Sequence, residues 1–376
     1  MQRWTSRPWA ALPMGLVLCL LSVLAAQQGL LPGAEAAPDA PPVLINAGFE
    51  CDPPDYGYQS QPGINGQVPK GWTAVLLNGN PRLNSTTMEW RDDHQCIRSY
   101  YEKIERYDSM AFISEDIETP PEPGKPFDAV VYQQTTVTPG ASYSLSGWML
   151  SLCGGSFNNP NDCPAGYYMA KMLGIDPTGG TNPKASSVIW VEDRRNFDES
   201  RWGNLWLGAT AQSATMTVFA RINSPFLWHG AHAFIDAMSL MRSPTASFDP
   251  PLPVIASSPQ ITVRWTGDLG PDISALNVPP SIGKYELRFD VQYRRSTQAG
   301  WQDWQMDKLE GEAVYTGSGC GPKQTVEFRV RARAEQFETG GASPNHRYPS
   351  DWSAPSTVVF PGATCAPRAY LPLVLR

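Results

Sequence analysis

Val326-Glu327-Phe328-Arg329-Val330-Arg331-Ala332-Arg333 alternates without a break, apolar at even positions and charged at odd ones. Successive side chains of a β-strand point to opposite faces, so this run predicts a strand with one face on a core and the other in water. Ile261-Thr262-Val263-Arg264-Trp265 alternates in the same way, as does the longer stretch from Tyr285 to Tyr293. Strands of this kind spread over residues 254–360 predict an immunoglobulin-like sandwich.

Working back toward the N-terminus, a second β-pattern occupies residues 43–242. It includes Val130 to Thr135, Ser142 to Trp148, Ala214 to Ala220 and His232 to Asp236, each bounded by Gly, Pro or Asn. Helical periodicity is confined to a short stretch near Ser99 to Arg106. Many short strands over such a length predict a larger β-sandwich, of which the jelly roll is the common form. The fold class is therefore all-β: an N-terminal jelly roll followed by an immunoglobulin-like sandwich. The two do not read as repeats of each other.

Residues 243–253 carry prolines at 244, 250, 251 and 253 and read as a stiff spacer between the modules. Residues 1–36 read as a cleaved signal peptide. Arg3 and Arg7 precede an apolar stretch from Ala10 to Ala26, short for a membrane span, and Ala34-Glu35-Ala36 forms a cleavage-type pattern. Cys19 follows Leu18, which is too large for a lipidation signal. Residues 37–42 are a linker, and 361–376 form a tail. Seven cysteines become six once the signal is removed, an even number suited to disulfides in an oxidising compartment. The pairs suggested are Cys153 with Cys163, Cys51 with Cys96, and Cys320 with Cys365.

The net charge of −7 lacks the basic balance of a nucleic-acid binder. Enzyme signals are also missing. The four histidines, His94, His229, His232 and His346, form no HExxH. There is no G-x-S-x-G elbow, no phosphate loop and no GxGxxG. Carboxylate pairs such as Asp92-Asp93 and Glu115-Asp116 read as solvated clusters. The expectation is a protein that binds and does not catalyse.

Specific stretches carry family resemblances. Asn46-Ala47-Gly48-Phe49-Glu50, Gly71-Trp72, the strand pair from Val131 to Trp148, and Phe234 to Leu240 follow the order of motifs in CenC-type carbohydrate-binding modules. The first module resembles that group over its whole length. Trp265, the Phe328 to Ala332 strand, and Ser350-Asp351-Trp352-Ser353-Ala354-Pro355-Ser356 resemble fibronectin type III motifs, although Val326 stands where that family usually has Tyr. Trp352 in this pattern is placed to stack over Arg329 or Arg331. The tail from Ala369 to Arg376 resembles the endings of many exported proteins of filamentous Chloroflexota, which suggests a sorting signal or, alternatively, a final edge strand.

The first resemblance implies a structural calcium, held by Glu50 and Asp236 by motif and by Glu89 by approximate spacing, with carbonyls of Asn46 and Gly48 as further oxygens. It also implies a glycan partner. Sugar rings stack their C–H faces on aromatic planes, and this module is rich in Trp and Tyr. Trp202 and Trp206, in the polar stretch that begins at Glu192, are the candidate sugar-stacking pair; a core position is the ordinary alternative for each. Extracellular polysaccharide or cell-surface glycan is the expected ligand. The competing reading is a structural or adhesive protein of the envelope or matrix that binds other proteins.

Overall fold

A computed structural model describes residues 42–49, 57–86, 109–113, 125–152, 164–195, 202–226, 232–276, 283–309, 311–317, 321–338, 344 and 346–362. Residues 1–41 and 363–376 and all seven cysteines fall outside these residues, and with them the expected signal peptide, the suggested disulfides and most of the tail, as do Glu50, Glu89 and the stretch from Ser99 to Arg106.

The first module opens with β1 (Tyr58–Gln59), β2 (Asn65–Gly66), β3 (Val68–Pro69), β4 (Thr73–Asn78), β5 (Arg82–Thr86), β6 (Ser109–Ile113) and β7 (Phe127–Thr136). It continues with β8 (Ser142–Leu152), β9 (Ala170–Asp176), β10 (Ile189–Asp193), β11 (Gly203–Thr210), β12 (Thr215–Ser224) and β13 (His232–Arg242). Among the described residues, one sheet has the order β10-β9-β12-β7-β4 and the other β11-β8-β13-β6-β5-β2. Alternation sends Ala129 and Val131 of β7, Leu145 and Met149 of β8, Val218 and Ala220 of β12, and Ile235 of β13 into one buried cluster between the sheets.

The opening turn is fastened to this core. Trp72 is buried, and its Nε1 donates to the carbonyls of Ile45 at 3.0 Å and Asn46 at 3.1 Å. Gln133 holds the same turn, accepting from the Ile45 amide at 2.6 Å and donating to the Ile45 carbonyl at 2.9 Å. The Met238 amide, within the break in the β13–β8 register, donates to Ala47 O at 2.9 Å. The opening motif thus lies against the closing strand.

The second module comprises β14 (Thr245–Phe248), β15 (Gln260–Asp268), the short helix α1 (Pro271–Ala275), β16 (Gly283–Arg295), β17 (Gln302–Lys308), β18 (Glu312–Thr316), β19 (Gln324–Glu338), β20 (His346–Pro349) and β21 (Ser356–Phe360). Its sheets are β14-β15-β18 and β17-β16-β19-β20, with β21 also paired to β19. Val326, Phe328, Val330 and Ala332 point into a core with Trp265, as their alternation requires. Residues 245–248, within the stretch read as a spacer, are a strand: β14 pairs with β15, and Phe248 lies opposite Trp265. The backbone amides at Thr245 to Phe248 are free of proline, so they can complete a ladder that the flanking prolines cannot.

The two sandwiches belong to one compact unit, and small side chains explain how they meet. The outward face of β8 and β11 presents Ser142, Ser144, Ser146, Gly208 and Thr210. Asp351 Oδ2 accepts from Ser142 Oγ at 2.9 Å and from Thr210 Oγ1 at 2.8 Å. Ser144 Oγ donates to the Pro349 carbonyl, and His346 Nδ1 lies 3.2 Å from Ser146 Oγ. A Cβ on Gly208 would stand 3.4 Å from the Pro349 oxygen, already in van der Waals contact, so a larger side chain would push the modules apart. Met241 of the first module packs with Ile273, Ala334 and Tyr348 of the second. Burial holds the His346 imidazole neutral, lowering its pKa to about 4.

Among the described residues, no helix is long and apolar enough to cross a membrane.

Candidate functional site

The residues singled out in the sequence go to different places. Trp202 is buried, packed with Phe234, Leu150 and Leu152 on the outer side of the six-stranded sheet. Trp206 lies on the same face, as the strand period demands, but its ring stands 5.5 Å from the Arg331 guanidinium of the second module. The pair does not form an open stacking surface, because this face of β11 is where the second sandwich docks.

Trp206 instead ends a ladder. Arg329 lies between Trp301 at 4.3 Å and Trp352 at 4.4 Å, and Arg331 lies between Trp352 at 4.7 Å and Trp206. The stacking expected of Trp352 is present on both arginines, and the ladder continues across the module boundary. Each exposed cation–π contact contributes about 0.5–1 kcal/mol, so the ladder fixes orientation as well as stability.

Asp236 sits at the register break of β13, and its Oδ1 accepts from the Ala237 amide at 2.6 Å, with Ala237 at φ 48°. The Asn46 carbonyl, one of the expected calcium oxygens, already accepts from Phe49 N at 3.2 Å and from Trp72 Nε1. No group of three or more His, Cys, Asp or Glu side chains able to hold a metal occurs among the described residues. The remaining carboxylates of the expected set, Glu50 and Glu89, lie outside them.

A more suitable surface lies on the opposite sheet. Strand pairing aligns Trp190, Gly174, Phe219, Tyr132 and Thr73 in one row across β10, β9, β12, β7 and β4. Trp190 lies over Gly174: a Cβ there would come within 2.7 Å of the indole carbons. The missing side chain lets the ring reach Phe219, at 5.7 Å between centroids, and Tyr132 flanks Phe219 at 5.8 Å. Phe219 is fully buried, while Trp190 and Tyr132 are partly buried on either side of it and keep only an edge of their rings in solvent.

Polar groups border this row. Arg221, two residues along β12 from Phe219, stands 5.7 Å over Trp190 and grips Asp128 with two bonds, Nε to Oδ1 at 2.8 Å and Nη2 to Oδ2 at 2.6 Å. Further along β10, Glu192 pairs with Arg194, whose guanidinium lies 4.6 Å over Tyr168. Aromatic faces beside fixed guanidinium and carboxylate groups offer what a pyranose needs: an apolar plane for C–H groups, and donors and acceptors for hydroxyls. The sequence contains Trp190 among many aromatics. What marks it out is the register over Gly174, which only the strand pairing supplies.

Lys171 is the most perturbed cation of the module. Burial between the sheets lowers its pKa to about 8, partly offset by Asp193. Its Nζ donates to Ser151 Oγ at 2.9 Å and to the Arg195 carbonyl, so it ties the two sheets together at one end of the sandwich.

The sequence matches no family model, and no curated protein matches it. Solved structures to which this chain is similar include TmCBM61, determined in complex with beta-1,4-galactotriose, at 12% identity and a TM-score of 0.30, over 46% of this chain and 89% of that one. The adhesin domain of Epf from Streptococcus pyogenes is similar at 9% identity and a TM-score of 0.23, over 69% of this chain and 79% of that one. A beta-1,2-glucanase from Parabacteroides distasonis is similar at 9% identity and a TM-score of 0.24, over 76% of this chain and 37% of that one. The all-β architecture is read from this chain's own sheets, and function from the geometry of its surface.

Proposed function

We propose that this chain is an exported, non-catalytic protein that binds extracellular polysaccharide or cell-surface glycan through the outer face of its five-stranded sheet. The observation that carries the reading is the Trp190–Phe219–Tyr132 row, seated on Gly174 and bordered by the Arg221–Asp128 pair. Trp190 supplies the stacking plane. Arg221 and Asp128 already hold each other bidentately, so the remaining guanidinium protons and carboxylate lone pairs are oriented before a hydroxyl arrives. In this reading the first module is a carbohydrate-binding module of the CenC type, with a structural calcium at Glu50, Glu89 and Asp236, and the second a fibronectin type III spacer. Retention of the intact chain and of Trp190→Ala on a panel of immobilised polysaccharides tests it; equal retention of both proteins on every glycan that binds would remove the platform.

The second reading, a structural or adhesive protein, is favoured by the docking of the modules. The Trp–Arg ladder and the Asp351 contacts make the pair a fixed strut, a shape suited to a building block of an envelope or matrix. A folded chain that no glycan retains would support this alternative.

A further inference from the structure

Beside the ladder, Trp206 of the first module and the outward faces of β16, β17 and β19 enclose a cleft of about 490 Å³. Its walls carry four guanidinium groups, on Arg288, Arg331, Arg333 and Arg347, and three carboxylates, on Asp290, Asp307 and Glu335. The three carboxylates are not equivalent. Asp290 and Glu335 are buried, with side chains 2% and 5% exposed; Asp290 lies 2.9 Å from Arg331, and Glu335 lies 3.3 Å from Arg347 and 3.4 Å from Arg333. They hold the arginines in place. Asp307 is different: its side chain is 58% exposed, yet it reaches in to Arg333 Nη2 at 2.7 Å and Arg288 Nη1 at 3.2 Å. The side chains of Arg333 and Arg288 are only 12% and 21% exposed. Glu286, which is not part of the cleft wall, takes Arg288 Nη2 at 2.9 Å.

An exposed carboxylate on a short side chain is thus lodged between two well-held arginines at the mouth of a cleft that also contains an indole. We propose that this cleft is a second binding site, formed by both modules together, for a sugar residue that bears a carboxylate. The ligand carboxylate takes the place of Asp307 between Arg288 and Arg333, and the sugar ring lies in the cleft with Trp206. Guanidinium suits the task because it presents donors in a planar fork that matches a carboxylate. Asp307 acts as an internal competitor: it satisfies the arginines in the free protein and swings into solvent when the ligand enters. The site is separate from the outer-sheet platform and exists only while the modules stay docked, since Trp206 belongs to one and the arginines to the other.

The test is titration of the intact chain with a 1,4-linked galacturonate tetrasaccharide and, as control, the matching neutral galactose tetrasaccharide. The acidic saccharide is expected to bind, more weakly as salt rises, and the neutral one at least about tenfold less well. Asp307→Asn removes the competing charge and is expected to tighten acidic binding by about tenfold, the opposite of what loss of a ligand-binding group would do. Arg288→Gln and Trp206→Ala are each expected to weaken it by about tenfold or more. Asp307 is exposed, so its variant keeps the test informative even if Arg288→Gln fails to fold. Equal binding of the neutral saccharide, an Asp307→Asn protein that binds no tighter, or silence from both wild type and Asp307→Asn at ~10 mM saccharide would overturn the proposal.

Discussion

Gly174→Ala is a small change with a calculable effect. The new methyl would meet Cε3 and Cζ3 of Trp190 at 2.7 Å and Cδ2 at 3.0 Å, where carbon atoms rest at about 3.5–4.0 Å. The ring cannot simply tilt aside, because Phe219 and Arg221 lie close beside it. It must rise from the sheet by close to an ångström, giving up contact with Phe219. Overpacking of this kind costs roughly 1–3 kcal/mol. Ala in place of a strand glycine returns about 0.5–1 kcal/mol through the unfolded chain, so the net loss lies between roughly 0 and 2.5 kcal/mol, centred near 1. For a module of this length a loss of about 1 kcal/mol lowers the melting midpoint by about 2–4 °C. The assay is thermal unfolding of four proteins: wild type, Gly174→Ala, Trp190→Ala and the double variant. Without the indole there is nothing to clash with, so Gly174→Ala in the Trp190→Ala background is expected to be neutral or slightly stabilising. If Gly174→Ala costs the same in both backgrounds, Trp190 does not lie on Gly174 and the platform is wrongly built.

Other outcomes follow from the same geometry. His232 and His346 are buried and neutral, with pKa values lowered to about 3 and about 4, chiefly by desolvation. Between those values and the ordinary histidine pKa of about 6.5, the unfolded chain binds protons that the folded chain refuses, so stability is complete above about pH 6.5 and falls as pH drops toward 4, by roughly 3 kcal/mol per histidine at most; denaturant midpoints across that range measure it, and His346→Asn should flatten part of the slope. Asp351→Ala removes two hydrogen bonds to a carboxylate at the docking face and, allowing for its exposure, should weaken docking by about 1–2 kcal/mol, seen in calorimetry as a single transition that broadens or splits; an unchanged transition would mean that Asp351 does not hold the modules together. Calcium at Asp236 and Glu50 predicts a melting midpoint that rises with added calcium and falls with chelator, by the usual mass-action dependence; indifference to both would rule that site out.

Much of the fold was legible because alternation reports parity. The even residues of Val326 to Arg333 go inward and the odd ones outward, and that parity placed Arg329 and Arg331 where Trp352 could stack on them. Parity does not say what covers a face. Trp202 and Trp206 are on the outward side of β11, but outward there means toward Phe234 for one and toward the second sandwich for the other. The docking of β20 against β8 joins residues far apart in the chain, so no local pattern announces it. Ser142, Ser144, Ser146 and Gly208 could have hinted at a close approach, since small residues on a strand's outer face leave room for another backbone. The aromatic row was hidden for a related reason. Trp190, Gly174, Phe219 and Tyr132 come from four strands, and their alignment depends on three pairing registers that the sequence does not encode locally. Likewise, the stretch around residues 244–253 looked like a spacer by composition, while Thr245 to Phe248 had the proline-free backbone of a strand.

In the proposed function the five-stranded sheet binds glycan through Trp190. This is tested most directly by passing the intact chain and Trp190→Ala over a panel of insoluble and immobilised polysaccharides under identical conditions, with melting curves to confirm that both are folded. The expected result is retention of the wild type on at least one glycan class and loss of that retention in Trp190→Ala. Passage of the folded wild type through every column, or equal retention of the variant, would contradict it.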